Sequence, residues 1–113
     1  IASVAAHLHA RGIMHGDLYA HNILHDGAGG ALLGDFGAAS LYDVNDRVRA
    51  ARFERLEVRA FGYLLRELLE RCEPRAWAAA QALGALAAAC VNDEVDARPS
   101  FEQIVAALAA TMD

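Results

Sequence analysis

The chain has 113 residues, 56% of them hydrophobic and 22% charged, which is enough apolar material for one folded domain with a modest core and too much for a disordered chain. Its formal net charge is -5, with ten basic residues that are all arginine, and this balance excludes a surface built for nucleic-acid phosphates, which needs a basic stripe. Abundant alanine and the absence of lysine point to a GC-rich coding sequence of bacterial type.

In chain order, Ile1 to Arg11 predicts a helix with Ile1, Val4, Ala5 and Leu8 on one face, stopped by Gly12 in a left-handed conformation. Ile13-Met14, Ile23-Leu24 and Ala31-Leu33 read as short strands, the last two joined by a hairpin turn over His25 to Gly30 that is led by Asp26. From Leu56 to Arg71, the residues Phe61, Leu64, Leu65, Leu68 and Leu69 recur at helical spacing. Pro74 suits the first turn of a further helix over Arg75 to Cys90, because that turn needs no donor there. After a loop over Asn92 to Pro99, Ser100 and Gln103 form a capping box for a helix through Met112. The fold class is therefore mainly α with a small antiparallel β element.

Ala76 to Val91 is almost wholly apolar, but it is shorter than the roughly 20 residues a bilayer requires and rich in weakly hydrophobic alanine, so it reads as a core helix. Cys72 and Cys90 lie in apolar helical patterns and read as small buried hydrophobes rather than as a metal or redox pair. His7, His9, His21 and His25 show no convergent ligand spacing and read as solvated or loop histidines, and Asp93, Glu94 and Asp96 as a solvated loop. Ile1 to Leu8 has no secretory leader pattern, and a first residue that is not Met is expected of a piece of a longer protein.

Two constellations carry chemistry. In His15-Gly16-Asp17-Leu18-Tyr19-Ala20-His21-Asn22, a carboxylate is followed five residues later by an amide, on a loop between short strands; one group can meet a substrate hydroxyl and the other a metal. In Gly34-Asp35-Phe36-Gly37, directly after a strand, a carboxylate flanked by glycines can approach a phosphate-bound cation, while Phe36 anchors the turn in the core.

Together, in this order and eighteen residues apart, the two motifs resemble the catalytic loop and Asp-Phe-Gly motif of eukaryotic-type protein kinases. Leu56 to Leu65 is similar to the central helix of the kinase C-terminal lobe, and Ala97-Arg98-Pro99-Ser100-Phe101 to the start of its last helix, so the likeness covers essentially the whole chain, 1–113. It implies an ATP-dependent protein kinase present as its C-terminal lobe, cytoplasmic, with ATP and Mg2+ as cofactors. Partners would be ATP, a protein substrate and an N-terminal lobe carrying the glycine-rich phosphate cover and the lysine-glutamate pair that this chain lacks. Asp17 would be the catalytic base, Asn22 and Asp35 would hold magnesium on the phosphates, and His15 and Phe36 would belong to an apolar stack behind the site.

The pattern also departs from that family. Gly16 replaces an arginine that binds an activating phosphate, and Tyr19 and His21 stand where lysine or arginine is usual. Glu57 replaces the aspartate of the central helix, and the segment from Gly37 to Glu57 lacks an Ala-Pro-Glu triplet, leaving Glu54 or Glu57 to pair with Arg98. A small-molecule phosphotransferase similar to the aminoglycoside and choline kinases, and a pseudokinase serving as an interaction module, are the alternatives.

Overall fold

The structure, a computed structural model, describes residues 1–28, 30–71 and 77–112. Its elements in order are α1 (Ala2–Ala10), β1 (Ile13–Met14), β2 (Ile23–His25), β3 (Ala31–Leu33), β4 (Ser40–Leu41), α2 (Arg47–Arg71), α3 (Trp77–Cys90) and α4 (Phe101–Met112). The chain is mainly helical with small antiparallel ribbons, consistent with a kinase-like C-terminal lobe. The expected roles of Cys72 and Pro74 fall outside the described residues.

At the end of α1, Gly12 takes φ +72°, and its carbonyl accepts the Tyr42 amide at 2.9 Å, turning the chain into β1 as expected. The buried face of α1 is shifted from the expected one: Ala2, Ala5 and His9 are inside, and Val4 and Leu8 are half-buried. β2 and β3 form the expected hairpin, with Ile23 opposite Leu33 and His25 opposite Ala31. Asp26 closes its turn, one carboxylate oxygen accepting the amides of Ala28 at 2.8 Å and Gly30 at 3.0 Å; these bonds hold its carboxyl below the usual range. β1 pairs with β4, a strand too short to be read from sequence, placing Ile13 opposite Leu41.

Helix α2 begins at Arg47, nine residues before the expected Leu56. The Asp46 side chain accepts the Arg49 amide at 3.3 Å and its carbonyl accepts the Ala50 amide at 2.8 Å, the bonding of an N-cap. Arginine and alanine, which dominate this first stretch, are strong helix formers, so the helix extends well before its leucine stripe.

The core lies where α2, α3 and α4 meet, around Val58, Phe61, Leu64, Ala87, Cys90, Phe101 and Ile104. Full burial of side chains such as Phe101 and Ile104 contributes about 1.5–3 kcal/mol apiece. Gly62 is where α2 and α3 approach most closely: a Cβ there would stand 2.7 Å from both Cys90 Cβ and Val91 Cγ1. Cys90 is fully buried, as expected, and burial pushes its thiol up to about 11.

Ahead of α4, the Ser100 hydroxyl accepts the Gln103 amide at 3.1 Å while Gln103 accepts the Ser100 amide at 2.9 Å, completing the expected capping box. Arg98 pairs with neither Glu54 nor Glu57. Its Nε donates to the Asn92 carbonyl at 2.7 Å and a terminal nitrogen to the Arg55 carbonyl at 3.1 Å, while Arg55 Nε donates to the Arg98 carbonyl at 2.8 Å. The guanidinium's planar fork reaches two main-chain carbonyls as readily as a carboxylate, and this lets Arg98 be buried.

Candidate active site

The loop from His15 to Asn22 runs between β1 and β2 and ends in a single 3-10 turn, Ala20–Asn22. That turn brings Asn22 back over Asp17, and Asn22 Nδ2 donates to the Asp17 carbonyl at 2.7 Å and to its Oδ2 at 2.9 Å. Both amide hydrogens are thereby used on Asp17. Asn22 Oδ1 has no hydrogen-bond partner among the described residues and is not a sealed, unsatisfied atom, so it opens to the surface as a free oxygen donor.

His15 joins this loop to the turn bearing Asp35. Its Nδ1 accepts the Asp17 amide at 3.2 Å, which fixes the ring hydrogen on Nε2, and Nε2 donates to the Gly34 carbonyl at 2.8 Å. A second tie runs from the Gly34 amide to the Asn22 carbonyl at 2.8 Å. His15 is fully buried and uses both nitrogens structurally, which matches the expectation that it does no acid-base work. Phe36 packs edge-on against His15 at 4.7 Å but is 46% exposed, so it does not anchor the turn in the core as expected; only its contact with His15 is shared with the helical lobe's interior.

Asp35 is exposed and has φ +54°, a left-handed conformation that aspartate tolerates because its side chain bonds locally, here accepting the Gly37 amide at 3.2 Å. Asp17 and Asn22 are thus in direct contact, and Asp35 is linked to them through His15 and Gly34.

The donor chemistry fits a hard cation. Asn22 Oδ1 and the Asp35 carboxylate are oxygen ligands, and magnesium takes one or two protein ligands and completes its shell from phosphate and water. No group of three or more His, Cys, Asp or Glu side chains forms a self-sufficient metal cage among the described residues, in keeping with a cation that arrives with phosphate.

Glu57, on α2, holds the loop from below. Its Oε1 accepts the His15 amide at 3.0 Å and its Oε2 the Gly16 amide at 2.7 Å, while His9 Nε2 lies 3.0 Å from Oε1. Burial raises the Glu57 carboxyl, but the bonds from His9, Gly16 and His15 outweigh it and hold the group below its ordinary value. His9 is therefore not a solvated histidine: it is 6% exposed and packs edge-on against Phe101 at 5.1 Å. Its sequence signal was the spacing Ala2, Ala5, His9, which lies on one helical face. Tyr42 closes the back of this cluster, its hydroxyl bonding Glu54 at 2.8 Å and the His9 carbonyl at 3.0 Å; burial and the Glu54 carboxylate raise its phenol far above the usual range.

Gly16 is required by the site's packing. It has φ +85°, and a Cβ there would run into the carbonyl of Ala38, three residues beyond Asp35. The loop carrying Asp17 and the segment after Asp35 touch backbone to backbone at this point, with no room for an arginine. Tyr19 and His21 stack flat on one another at 5.6 Å on the outer surface of the loop.

Among the described residues, no helix is long and apolar enough to cross a membrane. Two serine/threonine-protein kinases of Arabidopsis thaliana, AtPK1/AtPK6 and AtPK2/AtPK19, are each 49% identical to this chain over 47 residues, which is 42% of the chain and 10% of those proteins. The chain thus matches about a tenth of the length of these relatives. The model of the lipopolysaccharide kinase (Kdo/WaaP) family matches residues 1–84, well over half of the chain and including Asp17, Asn22 and Asp35. The kinase likeness of the motifs is therefore sustained, in a family named for a different acceptor from protein, and the chain belongs to the lipopolysaccharide kinase (Kdo/WaaP) family.

Proposed function

We propose that this chain carries the catalytic loop and metal-binding turn of an ATP- and magnesium-dependent phosphotransferase whose acceptor is a sugar hydroxyl. The observation that carries the reading is the Asp17–Asn22 pair: the amide of Asn22 fixes the carboxylate of Asp17 at 2.9 Å and leaves Oδ1 open toward the side where Asp35 is tied in. Asp17 orients the acceptor hydroxyl and takes its proton as the oxygen attacks phosphorus. Asn22 and Asp35 hold magnesium, which when bound supplies neutralisation of the phosphate charge. His15 and Glu57 keep the loop in place and touch no reactant. The sugar acceptor follows the family's description as a lipopolysaccharide kinase.

An N-terminal lobe supplies the phosphate cover and lysine-glutamate pair that the chain lacks, and the use of ATP places the reaction in the cytoplasm. A second reading, transfer to protein hydroxyls, is favoured by the 49% identity to plant serine/threonine-protein kinases.

The test is transfer of labelled phosphate from ATP by the full-length protein to lipopolysaccharide, to simple sugars and to a generic protein. Label on saccharide, lost in Asp17→Asn with nucleotide affinity unchanged and in Asp35→Asn with magnesium-dependent nucleotide affinity weakened, supports the proposal. Label on protein alone replaces it with the second reading. Nucleotide binding without transfer to any acceptor leaves a pseudokinase.

A further inference from the structure

Beside the candidate catalytic loop lies an open cavity of about 310 Å³, at the small end of the range for small-molecule sites and suited to a single sugar ring. One wall is Gly16, Leu18 and Tyr19, the residues on either side of Asp17 and just beyond it; the other is Arg59, Ala60 and Tyr63 on α2. Tyr19 and Tyr63 are 56% and 45% exposed, offering ring faces on opposite walls.

The charge in this cleft is unusual for a chain of net charge -5. The Arg59 guanidinium lies 4.9 Å over the Tyr63 ring and donates to its hydroxyl at 3.2 Å, and Arg66 reaches the same ring at 5.8 Å. Elsewhere on α2, Arg71 is paired with Glu67 and Arg55 contacts Glu54. Arg59 and Arg66 have no carboxylate within 4.0 Å among the described residues, so two exposed cations converge on one tyrosine with nothing to offset them. Glu57 also lines the cleft, but both its oxygens already accept hydrogen bonds from His15, Gly16 and His9. An anion therefore belongs at the Arg59 rim and not on the floor.

We propose that this cleft is an acceptor subsite in which Arg59, supported by Arg66, holds an anionic substituent of the acceptor, a carboxylate or phosphate, while Tyr19 and Tyr63 pack the ring and present its hydroxyl toward Asp17. This assigns Arg59 as a specificity-determining residue, and it rests on the sugar-hydroxyl reading above. A guanidinium suits the task because it remains charged at every physiological pH and can meet two oxygens at once.

The probes are galacturonate and galactose 6-phosphate against neutral galactose, titrated into the full-length protein and followed by NMR at the amides of Gly16, Tyr19 and Tyr63. Both anionic sugars shift these signals saturably, and galactose binds at least about tenfold more weakly. Arg59→Gln removes that preference, Arg66→Gln reduces it by less, and added salt weakens the anionic sugars alone. Equal binding of galactose and the anionic sugars, or an unchanged preference in Arg59→Gln, overturns the subsite. Failure of the sugar-hydroxyl reading looks different: anion binding that depends on Arg59 persists, yet no phosphate reaches any sugar. Conversely, transfer to galactose and galacturonate with the same KM, insensitive to Arg59→Gln, leaves phosphotransfer intact and removes the subsite.

Discussion

Replacing Glu57 with glutamine tests whether one buried carboxylate holds the catalytic loop. In the native protein its two oxygens accept the His15 amide at 3.0 Å and the Gly16 amide at 2.7 Å. Glutamine has one acceptor oxygen, so one amide keeps a neutral partner while the other faces an NH2 group. Hydrogen bonds to a charged group contribute about 1.5–3 kcal/mol, and a stranded buried donor costs about 1–3 kcal/mol. The expected loss is about 2–4 kcal/mol, a large part of the 5–15 kcal/mol that holds a typical domain together. For a domain of this size that lowers Tm by at least roughly 10 °C. Thermal unfolding of the full-length protein gives the magnitude, and amide hydrogen exchange at His15 and Gly16 gives the location. A Tm within about 2 °C of wild type with unchanged protection of both amides would refute the role of Glu57. The pH dependence supplies an independent sign. Because the folded carboxyl lies below its ordinary value, the stabilisation is fully present above the ordinary carboxylate range and is lost as pH falls through the folded value. Wild type and Glu57→Gln therefore differ most near neutrality and converge in acid.

Gly16→Ala places a methyl group against the Ala38 carbonyl at a left-handed backbone position, and is expected to cost about 1–3 kcal/mol and to lower transfer by displacing Asp17; unchanged activity and Tm would show that the two segments are free to separate. Gly62→Ala forces a Cβ to within 2.7 Å of Cys90 and Val91, with an expected overpacking cost of about 1–3 kcal/mol and no change in nucleotide affinity, measured by denaturant unfolding and nucleotide titration.

The elements that proved readable were those whose signal is local. The stripe of Phe61, Leu64 and Leu65, the reciprocal Ser100–Gln103 bonds and the Asp26 turn each depend on residues within a few positions of one another. The site motif was readable for the same reason, since Asp17 and Asn22 meet across one turn. What escaped depends on distant partners. β4 exists because Ser40 and Leu41 lie against β1, and nothing in two exposed residues announces a strand. His9 looked like any polar residue until Glu57, 48 residues away, gave it a partner. Arg98 was expected to seek a carboxylate, but arginine also satisfies itself on carbonyls, which every residue carries and no sequence pattern distinguishes. The early start of α2 was within reach through the Asp46 cap, but its apolar spacing is weak, with Ala50 buried and Phe53 only partly so.

The two clamps that hold the lobe together answer to different conditions. The Arg98–Arg55 clasp between α2 and the approach to α4 is made entirely of guanidinium donors and main-chain carbonyls, neither of which titrates in the accessible range. The Glu57 clamp under the catalytic loop depends on a carboxylate and loses its acceptors' charge in acid. Mild acidification therefore divides the molecule by function: the loop carrying Asp17 gains local openings while the helical base keeps its exchange protection, so a sub-global state with an unfastened site precedes cooperative unfolding.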